Sequence, residues 1–295
     1  MQRVEKEIER LIQECDYAEV TRLFKMLSGG KRLRAKLILK IAPEHEKAPL
    51  LAAIVELIHA ASLLHDDVID EAETRRGVPS VNATDGSKTA VMLGDILYSK
   101  AFTELVGFDK DVAQTISASV TALSKGEMMD VKMADEFNTD EKKYLDMLYL
   151  KTATLIEAAA KASALLVGKD ADKYSVYGRN LGLSFQIIDD ILDITADAQT
   201  LGKPAMNDFV EGKCTLPYIY LYEVLNESDK QRLVSSHAKV IDKDEVMWIQ
   251  AKMAEHKSVE KSFKLAQELS NEAMNEVKDD TALVEILQTM IKRSF

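Results

Sequence analysis

Two stretches carry carboxylates at a spacing that suits cation binding. In "LLHDDVIDEAETRRG", residues 63–77, Asp66, Asp67 and Asp70 stand at i, i+1 and i+4 behind an apolar run. In "FQIIDDILD", residues 185–193, Asp189, Asp190 and Asp193 repeat that spacing. At 100° per residue the first and third members share a helix face and the second lies beside them. Like charges packed into one turn repel unless a cation sits among them. A solvated helix end would explain one such triplet, but a second copy behind another apolar run points to a shared purpose.

Oxygen ligands without His or Cys at coordinating spacing suit Mg²⁺, which keeps waters and completes its shell with substrate phosphates. The expected metal ligands are therefore Asp66, Asp67, Asp70, Asp189, Asp190 and Asp193, and the expected substrate is phosphorylated. Glu56 and His59 form an E-x-x-H, the signature that di-iron bundles use twice. No second copy exists, so that chemistry lacks its ligands. No Ser/His/Asp constellation or activated cysteine is evident.

The elements that must position these residues read as helices. Apolar residues recur three and four apart in "LAAIVELIHAASLL", "VMLGDILYSKAF", "DVAQTISASVTALSKGEMMDV", "YLDMLYLKTATLIEAAAKASALLV" and "YGRNLGLSFQIIDDILDI". No stretch shows a convincing strand alternation. The five prolines fall at breaks, Pro49 near one helix start, and Gly168 at one helix end. About ten or more helices with short loops follow. No flexible linker or short-period repeat divides the chain, so the expectation is one all-α domain over residues 1–295. The last fifty residues, rich in Lys and Glu, read as peripheral helices.

Composition narrows the partners. With 38 Lys plus Arg against 49 Asp plus Glu, the net charge of -11 disfavours nucleic acid and anionic lipid. Cys15 and Cys214 allow at most one disulfide and suit a reducing compartment, so cytoplasm is expected. The charged N-terminus lacks a signal-peptide core. The most apolar segment, residues 50–64, is too short to span a bilayer and carries Glu56 and His59, so it reads as a buried helix.

The motifs "GGKRLR", "HDDVIDEAETRRG", "KTATL", "FQIIDDILD" and "GKPAMNDFVEGKCTLP" follow one another in order along the chain. Together they make it resemble a trans-prenyltransferase of the all-trans polyprenyl diphosphate synthase family. The resemblance implies a helical bundle around a deep central cavity, usually dimeric. It implies that the six aspartates bind metals gripping an allylic diphosphate such as farnesyl diphosphate. Lys31, Arg34, His59 and Arg76 then match the site of isopentenyl diphosphate, and Arg75 serves chiefly the allylic diphosphate. Lys151, Lys203 and Lys213 match lysines that neutralise the departing diphosphate, with Thr152 and Gln186 lining the same mouth. Arginine forks match phosphate oxygens, whereas lysine supplies a mobile point charge.

Ala61 and Ser62 lie about one helical turn before Asp66, and both are small. Short-chain relatives carry a bulky aromatic near this level, so the resemblance leans toward a long product, octaprenyl-like. Small residues there could instead serve close helix packing. Ile116, Val120 or Leu123 are candidates for a lower tunnel floor. Rival readings are a geranylgeranyl or farnesyl diphosphate synthase, a terpene cyclase, and a noncatalytic regulatory subunit. Lys31, Arg34 and His59 argue against a cyclase, and two intact aspartate triplets argue against lost activity. A membrane quinone side chain is the expected destination, with peripheral membrane contact for product release.

Overall fold

A computed structural model describes residues 1–27, 30–195 and 206–292. The architecture is all-α, as the apolar periodicity predicts. The first helices are α1 (Gln2–Gln13), α2 (Ala18–Met26), α3 (Leu33–Ile41) and α4 (Ala48–Ile69). A short antiparallel hairpin, Thr74–Arg75 with Val78–Pro79, precedes α5 (Val81–Asp85), α6 (Ser87–Leu105) and α7 (Lys110–Met133). Then come α8 (Glu141–Leu148), a π-helical turn (Tyr149–Ala153), α9 (Thr154–Leu166) and α10 (Ala171–Thr195). The described chain closes with α11 (Asn207–Val210), α12 (Leu216–Val224), α13 (Glu227–Ser236), α14 (Lys243–His256), α15 (Ser258–Glu276) and α16 (Thr281–Ile291).

The chain divides into two compact units, Met1–Val120 with Glu157–Ser175, and Thr121–Ile156 with Val176–Phe295. In the first, α4 is the central element and packs against α1, α3 and α6. Pro49 lies in its first turn, where a missing N–H costs nothing. The helix is 22 residues long, more than the apolar segment suggests, and by length and composition alone it could cross a bilayer. Its most apolar window is 72% buried inside the protein, as befits a core helix. Close approach of α6 depends on Gly94, where a Cβ would lie 2.3 Å from His65 Nε2.

The stretch "YLDMLYLKTATLIEAAAKASALLV" departs from one regular helix within its second-unit part. A π-helical turn interrupts it at Tyr149–Ala153, so Lys151 and Thr152 sit on a widened turn, a device common at functional sites. Two glycines make room for it. A Cβ on Gly126 would lie 2.3 Å from Lys151 N, and one on Gly182 would lie 2.5 Å from Ala153 Cα. Both contacts are with backbone, which cannot rotate aside. Gly182→Ala is therefore expected to lower stability by about 1–3 kcal/mol through overpacking. Thermal unfolding measures this, and an unchanged midpoint would mean that α10 shifts freely.

The last fifty residues are not merely peripheral. Along α15 the small residues Ser258, Ser262, Ala266, Ser270 and Ala273 are buried, and the helix packs against α12. Small side chains at three- and four-residue spacing let backbones approach, and the Lys/Glu face outside hides this stripe from a compositional reading. Ser184 Oγ donates to Ala266 O at 3.1 Å, and Tyr177 OH donates to Leu283 O at 3.0 Å, so both C-terminal helices brace α10.

Candidate functional site

The first aspartate triplet lies at the end of α4. The Asp70 N–H donates to Asp66 O at 2.8 Å, so the helical turn persists through the triplet. Asp70 is exposed, Asp66 is half-buried and Asp67 is buried. The buried carboxylate is already engaged: Arg75 Nε and Nη2 both lie 2.6 Å from Asp67 Oδ1. Burial pushes the Asp67 carboxyl up, and Arg75 opposes that shift. The hairpin that delivers Arg75 turns through Arg76 and Gly77 at φ +54° and +78°. Two successive positive φ values fit a type I′ turn, which matches the twist of a two-residue hairpin loop. This is the strand pair that periodicity could not reveal, being two residues per strand.

The same turn aims Arg76 across Gly30, where an added Cβ would meet Arg76 Nη1 at 2.8 Å. His59 faces Arg34, Arg76, Arg75 and Arg32, and burial together with these cations holds it well below the usual histidine range. It is therefore a neutral imidazole among guanidinium groups. Arg34 Nε is buried without a hydrogen-bond partner, and burial lowers the Arg34 guanidinium while Glu56 opposes that shift. Lys31 is exposed at the edge of this group. A cluster of forks and a neutral histidine with buried donor capacity unspent is suited to a diphosphate.

The second triplet lines a cleft of about 350 Å³ in the second unit. Its walls include five aspartates, Asp130, Asp189, Asp190, Asp193 and Asp208, against two lysines, Lys151 and Lys213. Asp190 is buried, with Oδ2 accepting from Tyr144 OH and Oδ1 accepting from Gln186 Nε2 at 3.0 Å. Thr152 Oγ1 donates in turn to Gln186 Oε1 at 3.3 Å. Asp193 is buried as well and accepts the Asp208 N–H at 3.1 Å. Asp189 is exposed. Lys151 Nζ lies 2.5 Å from Asp130 Oδ2 and 2.9 Å from Glu127 Oε2. Lys213 pairs with Glu211 at 2.8 Å, and His237 Nε2 donates to the neighbouring Gly212 O at 2.8 Å. Lys203 lies outside the described residues.

Each triplet thus contains tethered carboxylates beside more exposed ones. Asp67, Asp190 and Asp193 are held by protein donors, whereas Asp70 and Asp189 are exposed. Among the described residues no group of three or more His, Cys, Asp or Glu forms a ready cage for a metal. Within each triplet the carboxylates accordingly differ in burial, and Asp67, Asp190 and Asp193 accept hydrogen bonds from protein donors. The donor set still fits Mg²⁺, which takes one or two carboxylates and fills its shell with water and phosphate. The surplus of aspartate in the cleft calls for added positive charge.

Asp190 shows that surplus most clearly. Burial, then the charge of Asp208, push it up to about 8, against the donors Gln186 and Tyr144. Its folded value lies above the ordinary 3.8, so the metal-free folded state keeps a proton that the unfolded chain releases. Stability contributed by that proton is lost as pH rises from about 4 toward 8. Asp190→Asn is expected to gain stability relative to the wild type across this window. Urea titrations in chelator at several pH values check it; a pH-independent difference would refute the shift.

Several of these groups gave no signal in the sequence. Tyr144, Glu127 and Asp130 act on residues far away in the chain and belong to no recognisable spacing. Asp208 lies within "GKPAMNDFVEGKCTLP", midway between Lys203 and Lys213, where an acid flanked by two bases was a readable hint. Ala61 is wholly buried and Ser62 nearly so, with Ser62 Oγ donating to His59 O at 2.9 Å. Ile116, Val120 and Leu123 are buried.

Comparison with known proteins bears on this geometry. A family profile described as Polyprenyl synthetase matches residues 18–253. A short chain isoprenyl diphosphate synthase of Methanothermobacter thermautotrophicus is 37% identical over 220 residues, 70% of this chain and 68% of that protein. An octaprenyl diphosphate synthase of Haemophilus influenzae is 34% identical over 257 residues, 84% of this chain and 78% of that protein. The crystal structure of octaprenyl pyrophosphate synthase from Helicobacter pylori superimposes with a TM-score of 0.93 at 43% identity, covering 98% of this chain and 97% of that one.

Proposed function

This chain belongs to the polyprenyl synthetase family and is a trans-prenyltransferase, and from that premise we propose that it extends an allylic diphosphate with isopentenyl diphosphate to a long all-trans chain near octaprenyl length. The observation that carries the reading is the cleft in which five aspartates face two lysines, a negative surplus suited to divalent cations that could in turn bridge to a phosphorylated ligand. Relatives named octaprenyl synthases support the long product, and the relative named a short chain synthase keeps geranylgeranyl or farnesyl length as the alternative.

Asp66, Asp67, Asp70, Asp189, Asp190 and Asp193 are the residues that would hold Mg²⁺, with Asp70 and Asp189 the most exposed of them. A crystal structure of the Caulobacter crescentus polyprenyl synthase, 28% identical with a TM-score of 0.81 and covering 98% of both chains, is described as complexed with calcium and isoprenyl diphosphate, which supports a divalent ion here. Bound Mg²⁺ supplies charge neutralisation on the leaving diphosphate.

The chain's own residues do the rest. Lys151, Lys213 and Lys203 would add positive charge where the departing diphosphate gathers negative charge, and Arg75, paired with Asp67 in the first triplet, would serve the allylic diphosphate. Thr152 and Gln186 orient the cleft mouth. Lys31, Arg34, Arg76 and the neutral His59 hold isopentenyl diphosphate, whose double bond attacks the allylic cation. A proton then leaves the new chain, with the released diphosphate as its acceptor. Apolar walls exclude water, which would quench the cation.

The two units serve as one synthase domain over residues 1–295, working as a cytoplasmic homodimer whose product becomes a quinone side chain. Incubating the purified chain with Mg²⁺, labelled isopentenyl diphosphate and farnesyl diphosphate, then sizing the extracted products, tests the proposal. A dominant long product supports it. A product stopping at geranylgeranyl length favours the alternative, and no incorporation would leave a binding or regulatory subunit.

A further inference from the structure

Glu56 belongs to the E-x-x-H pair that metal chemistry leaves unused, yet it is a carboxylate only 5% exposed in the middle of α4. A buried charge of this kind persists where specific partners satisfy it. Its partners all come from one turn of chain. Glu56 Oε1 accepts the Ala35 N–H at 3.1 Å, and Glu56 Oε2 accepts from Arg32 Nη1 at 3.1 Å. Arg32 has φ +51° and gives α3 no side-chain cap. Glu56 therefore caps α3 from another helix, satisfying a first-turn N–H that the local sequence leaves open.

That turn carries Lys31 and Arg34, and His59 lies three residues beyond Glu56 on the same side of α4. Glu56 also acts on Arg34 electrostatically, within a group where Arg32, Arg34, Arg75 and Arg76 all bear on His59. One buried negative charge thus offsets mutual repulsion among the bases and ties their backbone to α4. Arg32 is further tethered by Glu5 at 3.2 and 3.3 Å, which holds its fork between two carboxylates.

We propose that Glu56 is a positioning residue that anchors the Lys31–Arg34 turn, through Arg32 and the Ala35 N–H, so that its bases meet the diphosphate of isopentenyl diphosphate. This rests on the function proposed above. Both Glu56 oxygens are occupied by protein donors, so it acts through the turn rather than on substrate.

The test is Glu56→Gln, which keeps an acceptor for Ala35 but removes the charge, alongside Arg32→Gln and the double variant. Expected for each single variant is a rise of about tenfold in the KM for isopentenyl diphosphate, with kcat and the allylic KM within about twofold. Titration calorimetry with isopentenyl diphosphate should show the same weakening without turnover. The double variant should be no worse than either single, because both break one contact. An unchanged isopentenyl KM, or equal rises for both substrates, would overturn the proposal. Should Glu56→Gln fail to fold, Arg32→Gln carries the test, since its side chain lies nearer the surface. Wild-type protein that ignores isopentenyl diphosphate would instead sink the underlying function.

Discussion

Replacing Lys151 by methionine is expected to lower kcat by about 10²–10³-fold, the scale seen when one preorganised stabilising group is removed from a developing anion. Lys151 stands on the π-helical turn and reaches Asp130 and Glu127, both of them buried. Its loss strips a positive charge from the cleft and leaves two buried carboxylates without their cation. Breaking a buried pair in this way costs about 3–5 kcal/mol, so the variant should also melt earlier. Adding Asp130→Asn to the lysine variant should recover stability without recovering turnover. Single-turnover rates and thermal unfolding of the single and double variants separate the two effects. Wild-type turnover in the lysine variant would reduce Lys151 to a structural ion pair.

Ala61→Tyr should shorten the products while sparing turnover on a short allylic primer. Ala61 is wholly buried on α4, five residues before Asp66, so a phenol there adds bulk about one helical turn from the first triplet. Overpacking at so tight a site costs about 1–3 kcal/mol, and rates should therefore be compared per folded molecule. Chromatography of dephosphorylated products after reaction with farnesyl diphosphate gives the readout. Long chains persisting in a folded, active variant would place the length determinant elsewhere, with Ile116, Val120 and Leu123 the next positions to enlarge.

Much of the site was legible because its signals are local. The aspartate triplets, the Gly-Lys turn and the paired arginines show as residue types at fixed spacing, and helical periodicity alone puts the first and third aspartate of each triplet on one face. Helix type was equally readable, since apolar residues three and four apart leave few alternatives. The short hairpin was not, because two residues per strand carry no period. The π-helical turn was hidden too: "LYLKTATL" reads as ordinary helix, and what widens it is room made by Gly126 and Gly182 on other helices.

Residue types and spacing were enough to determine the helical class, the acidic and basic motifs and the chemistry they suit. Which carboxylate faces outward and which serves as an anchor was decided by contacts between distant parts of the chain. Tyr144 meets Asp190 across 46 residues, Lys151 meets Glu127 across 24, and Arg32 meets Glu56 across 24. Two aspartates adjacent in sequence, Asp189 and Asp190, consequently differ in exposure, and burial pushes the Asp190 carboxyl up. The physical reason is that burial and desolvation belong to the packed environment, so identical side chains one residue apart acquire different roles.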